Sequence, residues 1–307
     1  MGNISVNSED YYTDCLSDEN RLTHLYNALG ALNIIFAVTG TLMNIIIIIV
    51  YWSKKSKNQY AMIIALALAD LCVCAGLLPL EAVISLTNFD EVYFLPPSLM
   101  VAQIAFWYAV TNLSVYVLLL MTIERFIVIR DPFHPLNRRT LIGGLGLIVI
   151  VSMTTFVYYF LILKRPLTQI YWFEMDKTLE IVGFTVNFIL PSTANIIMYQ
   201  YIYWVAQSHR KRMNTRIKAS NQNPIPKMRI YNCVMVLFCV TWLPFIIFNI
   251  STFIDDSFFY ICAGDVIETL TALLVSSNSV LNGFIYSSVS GTFRKKVKLI
   301  FKFERNS

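Results

Sequence analysis

Charged side chains are scarce in this sequence. Asp, Glu, Lys and Arg make up 14% of the 307 residues, whereas 56% are hydrophobic, and the mean hydropathy is +0.59. Soluble domains carry about 25% charged residues. The composition therefore excludes an ordinary soluble globular protein and indicates a chain embedded in a membrane. No repeat or low-complexity tract interrupts the apolar pattern.

Histidine is rarer still, with three in the chain: His24, His134 and His209. They lie far apart and outside the long apolar runs, so a membrane hydrolase with converging metal ligands is a poor interpretation. The last apolar run, residues 259–287, contains no lysine, which excludes a retinal Schiff base. The sequence shows no internal repeat of the kind that carriers have, which argues against a carrier. It also shows no ring of charged residues and no filter loop, which argues against a channel.

The amino-terminal stretch lacks the basic and apolar regions of a cleavable signal peptide, so we expect the first span to target the chain. Asn3-Ile4-Ser5 matches a glycosylation acceptor, and we expect Asn3 to carry a glycan. Four of the six cysteines fall within apolar runs. Cys15 and Cys262 lie outside them or at their outer rim, which predicts one disulfide between these two residues.

Seven apolar runs are each long enough to cross a bilayer, which needs about 20 residues. They cover residues 26–52, 58–85, 97–130, 140–163, 178–208, 226–254 and 259–287. We therefore predict an all-α membrane protein: a seven-transmembrane helix bundle over residues 26–289. Residues 1–25 precede the bundle as an acidic, extracellular amino-terminal tail. Residues 290–307 follow it as a short amphipathic eighth helix and a short cytoplasmic tail.

Basic residues are unevenly divided between the two sides of the predicted bundle. The connections after the first, third, fifth and seventh runs hold most of the lysines and arginines, and the opposite loops are acidic. This bias places the amino terminus outside and the carboxyl terminus inside. The basic inner face should attract anionic membrane lipids, and nothing in the sequence indicates nucleic acid.

Several polar residues nevertheless lie within the apolar runs. Asp70 is in the middle of the second run, where a charged side chain costs about 2.5–3.5 kcal/mol on insertion scales. Asn44, Ser114, Asn278 and Asn282 lie at similar depth in other runs. An oxygen-rich group of this kind suits either a monovalent cation or a static hydrogen-bond network, and the periodicity does not decide between them.

The same residues, taken in order, resemble the rhodopsin-like (class A) G-protein-coupled receptors over residues 26 to 303. Glu124-Arg125-Phe126 closes the third span, Pro191 and Tyr199 lie in the fifth, and FCVTWLPF, from Phe238 to Phe245, lies in the sixth. The remaining matching residues are Gly40, Asn44, Asp70, Asn278, Ser279, Asn282, Tyr286 and Phe293.

The resemblance implies a receptor rather than an enzyme, located in the plasma membrane and acting on a heterotrimeric G protein. Arg125 resembles the arginine that inserts into the G protein, restrained by Glu124, and Tyr199 and Tyr286 resemble the tyrosines that swing towards it. The residues implied to switch on activation are Val115, Pro191, Phe238, Trp242 and Pro244. The residues implied to hold an allosteric sodium ion are Asp70, Ser114, Asn278, Ser279 and Asn282, and no other cofactor is expected.

The sequence also departs from the family pattern. Met100 stands where the family has a cysteine at the outer start of the third span, so the usual disulfide cannot form. Gly283 replaces the proline of the motif in the seventh span, and we expect any bend there to rest on glycine flexibility. Trp107 occupies the position of the aspartate that anchors ammonium groups in amine receptors.

We predict that nine residues line an outer ligand cavity: Glu81, Gln103, Trp107, Tyr108, Thr111, Trp242, Phe245, Asn249 and Glu268. A carboxylate on an apolar helix, such as Glu81, indicates either a cationic ligand or a side chain that reaches the membrane rim, and the two are evenly balanced. Our first hypothesis is a basic neuropeptide drawn in by the acidic outer surface. The second hypothesis is a receptor for a lipid or other apolar ligand. The third belongs to a different functional class: a transporter or a ligand-independent scaffold.

Overall fold

A computed structural model of the chain describes residues 19–52, 58–87, 97–131, 133–162, 177–216, 226–254, 262–289 and 291–303. Eight helices account for nearly all of these residues. They are α1 (Glu19–Trp52), α2 (Asn58–Leu71, a π-helical turn at Cys72–Leu77, and Leu78–Leu86), α3 (Pro97–Arg130), α4 (Arg138–Ile162), α5 (Lys177–Phe184, a π-helical turn at Thr185–Ile189, and Leu190–Arg216), α6 (Pro226–Ile254), α7 (Cys262–Val289) and α8 (Gly291–Phe303). No strand occurs in these ranges.

The first six helices are each long and apolar enough to cross a membrane by length and composition alone. Helix α7 is of similar length, 28 residues, but carries many hydroxyl and amide side chains. Six of these are buried among the other helices: Thr271, Ser276, Ser277, Asn278, Ser279 and Asn282. Helix α7 thus keeps its polar side chains inside the bundle, as a lipid environment requires.

Helix α3 is the central helix of the bundle and packs against α2, α4 and α5. Helix α1 packs against α2 and α7, α6 packs against α7, and α8 contacts both α7 and α1. Apolar side chains such as Ile150 and Leu161 are exposed on the outside of α4, where lipid is the expected solvent. The buried polar side chains of the described residues therefore lie between the helices, away from lipid.

Both π-helical turns are explained by a nearby proline. Pro79 and Pro191 each lie two residues after a turn. A proline has no N–H to donate to the carbonyl four residues before it, and in both helices that carbonyl belongs to the turn. A wider turn relieves the clash of the ring with that carbonyl. The amide N–H of Leu78 accordingly donates to the carbonyl of Val73, and that of Leu190 donates to Thr185, both five residues back.

Side chains from inside the bundle also bond to the π-helical turn of α5. The side-chain amide of Asn112, on α3, donates to Oδ1 of Asn187 (2.5 Å), and Asn187 in turn donates to the carbonyl of Gly183 (2.9 Å). The hydroxyl of Tyr116 donates to the carbonyl of Val186 (3.2 Å). Helix α3 thus fixes the register of α5 at this turn.

At the end of the bundle where α7 finishes, α8 is attached to α1. The ring of Phe293 lies 6.2 Å from that of Tyr51 between ring centroids, and Tyr51 stacks on Tyr60 at 5.2 Å. Nζ of Lys296 donates to the carbonyl of Val50 (3.0 Å). Lys295 and Lys298 are exposed on the same helix, which gives the short helix an apolar attachment and a basic outer surface.

The helices follow the predicted runs with differences at their ends. Helix α1 begins at Glu19, seven residues before the predicted span, and α5 continues to Arg216, eight residues beyond it. Both extensions are polar, so hydropathy gives no sign of them. The predicted glycan at Asn3 and the disulfide of Cys15 fall outside the described residues, as does the side chain of Cys262, and both stay predictions.

Gly40 and Gly143 provide a matched pair that tests the packing of α1. A Cβ atom on Gly40 would lie 3.0 Å from Cγ2 of Val280 and closer still to Sγ of Cys74, whereas one on Gly143 would meet nothing within 4 Å. Overpacking a filled interior costs about 1–3 kcal/mol. We expect Gly40→Val to lower the melting temperature of the purified protein and Gly143→Val to leave it unchanged; equal effects would contradict this packing.

Candidate functional site

A cavity of about 250 Å³ lies between the helices at the end of the bundle opposite α8. Six helices contribute to its wall. The lining residues are Asn33, Glu81, Gln103, Ile104, Trp107, Tyr108, Glu180, Phe245, Asn249, Glu268, Thr269, Ala272, Leu273 and Ser276. We refer to this space as the outer cavity.

The structure brings seven of the nine predicted ligand-binding residues to the outer cavity. Thr111 and Trp242 are the two that it places elsewhere. The hydroxyl of Thr111 donates to the carbonyl of Trp107 on its own helix (2.5 Å) and is buried there. Trp242 lies deeper, where its ring packs between those of Phe188 and Phe238.

The outer cavity is strongly acidic. Three carboxylate side chains, Glu81, Glu180 and Glu268, lie on its wall, and none of the described residues that line it is a lysine, arginine or histidine. The side-chain amide of Gln103 donates to Oε1 of Glu81, which fixes that carboxyl group against α3. Because carboxylates grouped on one wall create a negative potential that attracts cations, this cavity suits a cationic ligand.

Aromatic rings form a continuous path from the outer cavity towards the centre of the bundle. The ring of Trp107 lies 5.1 Å from that of Phe245 and 6.2 Å from that of Phe188. Phe188 lies 5.4 Å from Trp242, and Trp242 stacks on Phe238 at 5.4 Å. Such separations are those of directly contacting rings, so a displacement at Trp107 must be accommodated by its neighbours.

Below these rings lies a second, much smaller space of about 10 Å³, which we call the inner cavity. Its lining residues are Leu66, Ser114, Val115, Leu118, Val234, Phe238, Trp242, Asn278 and Asn282. This volume is at the lower limit for a single water molecule. Three of the residues implied to switch on activation, Val115, Phe238 and Trp242, thus line the same cavity as three of those implied to hold sodium, Ser114, Asn278 and Asn282.

Asp70 and Asn282 are directly bonded. Nδ2 of Asn282 donates to Oδ2 of Asp70 (2.9 Å), and both side chains are almost completely buried. The hydroxyls of Ser114 and Ser279 also face the Asp70 carboxyl group. Nearby, Nδ2 of Asn44 donates to the carbonyl of Ser279 (3.1 Å), which joins α1 to α7 at the same depth.

The residues around Asp70 fit a small hard cation. Four buried oxygens have no hydrogen-bond partner among the described residues: Oδ1 of Asp70, Oγ of Ser114, Oδ1 of Asn278 and Oδ1 of Asn282. Carboxylate, amide and hydroxyl oxygens are the donors that hard cations prefer. The described part of the chain has no group of three His, Cys, Asp or Glu that could hold a metal ion, so this donor set does not suit a transition metal.

At the other end of α3, Glu124 and Arg125 form an ion pair. Nε of Arg125 lies 3.2 Å from Oε2 of Glu124, and both side chains are largely buried. Tyr286 is buried against Tyr51, with the ring centroids 6.4 Å apart, and Tyr199 is half-buried on α5. All four residues predicted to contact the G protein therefore belong to the half of the bundle nearest α8.

The two prolines among the predicted switch residues lie at different kinds of site. Pro191 is buried two residues after the π-helical turn of α5. Pro244 lies within α6, two residues after Trp242, where it removes one intrahelical hydrogen bond. Helix α6 therefore has a weak point beside the aromatic path.

Sequence reasoning missed several residues at these sites, and three of them stand out. Phe188 connects Trp107 to Trp242, Glu180 adds a third carboxylate to the outer cavity, and Asn33 lines it from α1. Helices that are apolar on every side give no pattern that tells the inward face from the lipid face. One feature of the sequence could have identified Glu180 as a site residue, since it is a lone carboxylate within the fifth apolar run.

The chain belongs to the rhodopsin family of seven-transmembrane receptors. The model of that family, described as "7 transmembrane receptor (rhodopsin family)", matches residues 43–286. This confirms the predicted seven-helix membrane bundle and the class of protein, a G-protein-coupled receptor and not an enzyme. It also agrees with the burial of polar side chains along α7.

Several curated receptors are similar over most of their length. The chain is 25% identical to the human (Homo sapiens) 5-hydroxytryptamine receptor 4 over 316 aligned positions, covering 87% of this chain and 76% of that receptor. It is 26% identical to galanin receptor 2a of Danio rerio, covering 88% of this chain and 76% of that receptor. It is 26% identical to trace amine-associated receptor 9 of Mus musculus, covering 90% and 84%.

Phe188 and Phe160 provide a test of the aromatic path. Phe188 is completely buried between Trp107 and Trp242, whereas Phe160 is exposed on the outside of α4. Truncation of a buried phenylalanine costs about 3–5 kcal/mol. We expect Phe188→Ala to lower the melting temperature of the purified receptor strongly and Phe160→Ala to change it little. Similar losses in both variants would rule out a central packing role for Phe188.

Proposed function

We propose that this receptor lies in the plasma membrane with its amino terminus outside and converts the binding of a basic peptide into activation of a heterotrimeric G protein. The observation that carries the proposal is the outer cavity, which has three carboxylates and no basic side chain among its described lining residues. Aromatic rings at its floor contact one another in a row that includes Phe188 and ends at Trp242, which lines the inner cavity.

Electrostatics supports a basic ligand. Gln103 gives Glu81 a hydrogen bond but no positive charge, and the acidic amino-terminal tail adds to the negative potential outside. Such a potential raises the local concentration of cations and steers them inward. The names of the relatives include receptors for amines and for galanin, and the galanin receptors support a peptide.

Trp107 makes a simple amine receptor of the usual kind a weaker proposal. It fills the position that carries the ammonium anchor in amine receptors, and it packs against Phe245 instead of offering a charge. The available anions lie on α2, α5 and α7. A larger basic ligand that reaches these helices fits this distribution better.

An apolar ligand is the second proposal, and Trp107, Tyr108 and Phe245 are the observation in its favour. It is weaker because an apolar molecule would remove water from three carboxylates without replacing the lost interactions, which costs several kcal/mol. A transporter or ligand-independent scaffold is weaker still, since the matched family consists of receptors.

The mechanism we propose is a shift between two populations of the bundle. A ligand that contacts Trp107 and Phe245 acts on Trp242 through direct ring contacts. Trp242 lies two residues before Pro244, about which the cytoplasmic half of α6 moves outward. The ligand can shift this equilibrium only by the difference between its affinities for the two states.

At the cytoplasmic end, outward movement of α6 opens a groove at Arg125. In the resting state the carboxylate of Glu124 holds the Arg125 guanidinium. In the active state Arg125 exchanges that partner for the G protein, while Tyr199 and Tyr286 move towards it. Charge-assisted hydrogen bonds from a guanidinium make this exchange favourable.

An allosteric sodium ion is part of the proposal. Asp70, Ser114, Asn278, Ser279 and Asn282 would hold it, and when bound it would supply the positive charge that the buried Asp70 carboxylate lacks. The chain's own contribution is to bring three helices, α2, α3 and α7, together at this point. Any movement of α3 or α7 relative to α2 alters the set of oxygens around Asp70.

Nucleotide exchange tests the receptor function. We expect receptor in lipid nanodiscs to accelerate exchange on at least one class of Gα when amidated basic peptides are added, and Arg125→Ala to abolish the acceleration. Arg139→Ala, an exposed cytoplasmic arginine at the start of α4, is the matched control and should retain it. Acceleration by lipids or apolar compounds alone would reject the basic ligand, and exchange that ignores Arg125→Ala would reject the coupling mechanism.

A stability measurement tests the sodium site without any agonist. An ion that binds only the folded receptor should stabilise it by about 1–3 kcal/mol at concentrations well above its dissociation constant. We expect sodium chloride, compared with choline chloride at equal ionic strength, to raise the melting temperature of the wild type. Asp70→Asn, which keeps the shape of the side chain, should remove the difference. A sodium effect that survives in this variant would assign the ion to another place.

A further inference from the structure

Two polar side chains of the outer cavity, those of Asn33 on α1 and Ser276 on α7, have no part in the mechanism above. Both residues line the cavity, and they are only 5% and 3% exposed. Neither has a hydrogen-bond partner among the described residues. Since buried polar groups are normally hydrogen-bonded, these two side chains point to a bound polar group that satisfies them.

Helix packing places Asn33 beside Glu81. A Cβ atom on Gly40 of α1 would lie 3.2 Å from Cβ of Cys74 on α2. Asn33 lies seven residues before Gly40 on the same buried face of α1, and Glu81 lies seven residues after Cys74. The two helices are joined by a short connection and run antiparallel. Equal separations from one contact therefore bring Asn33 and Glu81 to the same depth.

Helix packing also brings Ser276 close to this depth. A Cβ atom on Gly283 of α7 would lie 2.7 Å from Cβ of Met43 on α1, and the two helices cross the bundle in the same direction. Ser276 lies seven residues before this contact and Asn33 lies ten before it. Three residues correspond to a rise of about 4.5 Å. One nitrogen atom can span this offset in depth, since it reaches about 2.9 Å to each acceptor.

The carboxyl group of Glu81 has one oxygen already engaged. The Gln103 amide donates to its Oε1, and among the described residues Glu81 has no other hydrogen bond and no ion pair. Three acceptors remain at this side of the cavity: Oε2 of Glu81, Oδ1 of Asn33 and Oγ of Ser276. A primary ammonium group has three N–H donors and no acceptor, which matches this set.

A guanidinium group fits the same place less well. Its planar fork pairs with both oxygens of a carboxylate at once. At Glu81 the fork would have to share Oε1 with the amide of Gln103. A quaternary ammonium group fits worse still, because it has no N–H to donate to Asn33 or Ser276.

We propose that the ligand carries a primary ammonium group that binds Glu81, Asn33 and Ser276 on the α1–α2–α7 side of the outer cavity. This deepens the proposed function, on which it rests, by naming the basic group that the site selects. That group is a lysine side chain or a free amino terminus and not an arginine side chain. The apolar part of the ligand then lies against Trp107 and Phe245, on the neighbouring wall.

Three small cations with the same apolar chain test this without a G protein: pentylamine, pentylguanidine and pentyltrimethylammonium. Binding is measured from the rise in melting temperature of the purified receptor over a concentration series at constant ionic strength. We expect pentylamine to bind about tenfold or more tightly than either analogue, because hydrogen bonds to charged groups are the strong ones. Pentylamine that stabilises the wild type no better than its analogues would overturn the proposal.

Three variants locate the ammonium group. Glu81→Gln keeps the acceptor for Gln103 and should reduce the advantage of pentylamine to about twofold or less. Ser276→Ala should weaken pentylamine about threefold or more and leave pentyltrimethylammonium unchanged. Ser277→Ala is the matched control, since that buried hydroxyl already donates to the carbonyl of Leu274 (2.6 Å), and it should keep the full advantage.

The outcomes separate this inference from the receptor function. A pentylamine advantage that survives in Glu81→Gln, or equal losses in Ser276→Ala and Ser277→Ala, would place the ammonium group elsewhere and overturn the proposal. Neither result affects nucleotide exchange that depends on Arg125. Conversely, an advantage that requires Glu81 and Ser276, in a receptor that drives no exchange, would support the ammonium site and reject the coupling. Should Glu81→Gln fail to fold, the wild-type comparison of the three cations still decides.

Discussion

The cost of placing a carboxylate in the middle of a membrane governs this structure. Asp70 is almost completely buried in the second helix, and lipid offers it neither water nor counter-charge. Its hydrogen bond from Asn282 joins α2 to α7, and the bond from Asn44 to the Ser279 carbonyl joins α1 to α7. The polar side chains of α7 can face only this interior. Helix α7 is therefore held in the bundle by polar contacts more than by its own hydropathy.

The same constraint explains why the two cavities are connected by aromatic rings rather than by water. Polar groups are concentrated around Glu81 at one depth and around Asp70 at another. Trp107, Phe188 and Trp242 fill the space between them. Rings in direct contact keep the two polar regions apart and transmit displacement between them, because a packed interior is hardly compressible. Separation and coupling thus depend on the same side chains.

Much of this architecture was predictable, because a helix in lipid must be apolar over a length set by the bilayer. The spans beginning at Asn58 and Pro97 start where hydropathy places them, and Asp70 and Asn282 met as the motifs imply. The faces of α5 were not predictable. Its π-helical turn changes the register between Glu180 and Pro191, so no single helical period relates the residues on either side.

Gly283 shows how a local departure from the family pattern acquires another physical role. Glycine flexibility was the expectation, yet no glycine in the described ranges has a positive φ, and Gly283 continues a helix. A Cβ atom there would lie 2.7 Å from Cβ of Met43 on α1. A residue without a side chain lets α1 approach α7 at the depth where Asn44 bonds the Ser279 carbonyl. Because that bond needs a short distance between the helices, close packing rather than a bend accounts for the glycine, and it helps to hold α7 over Asp70.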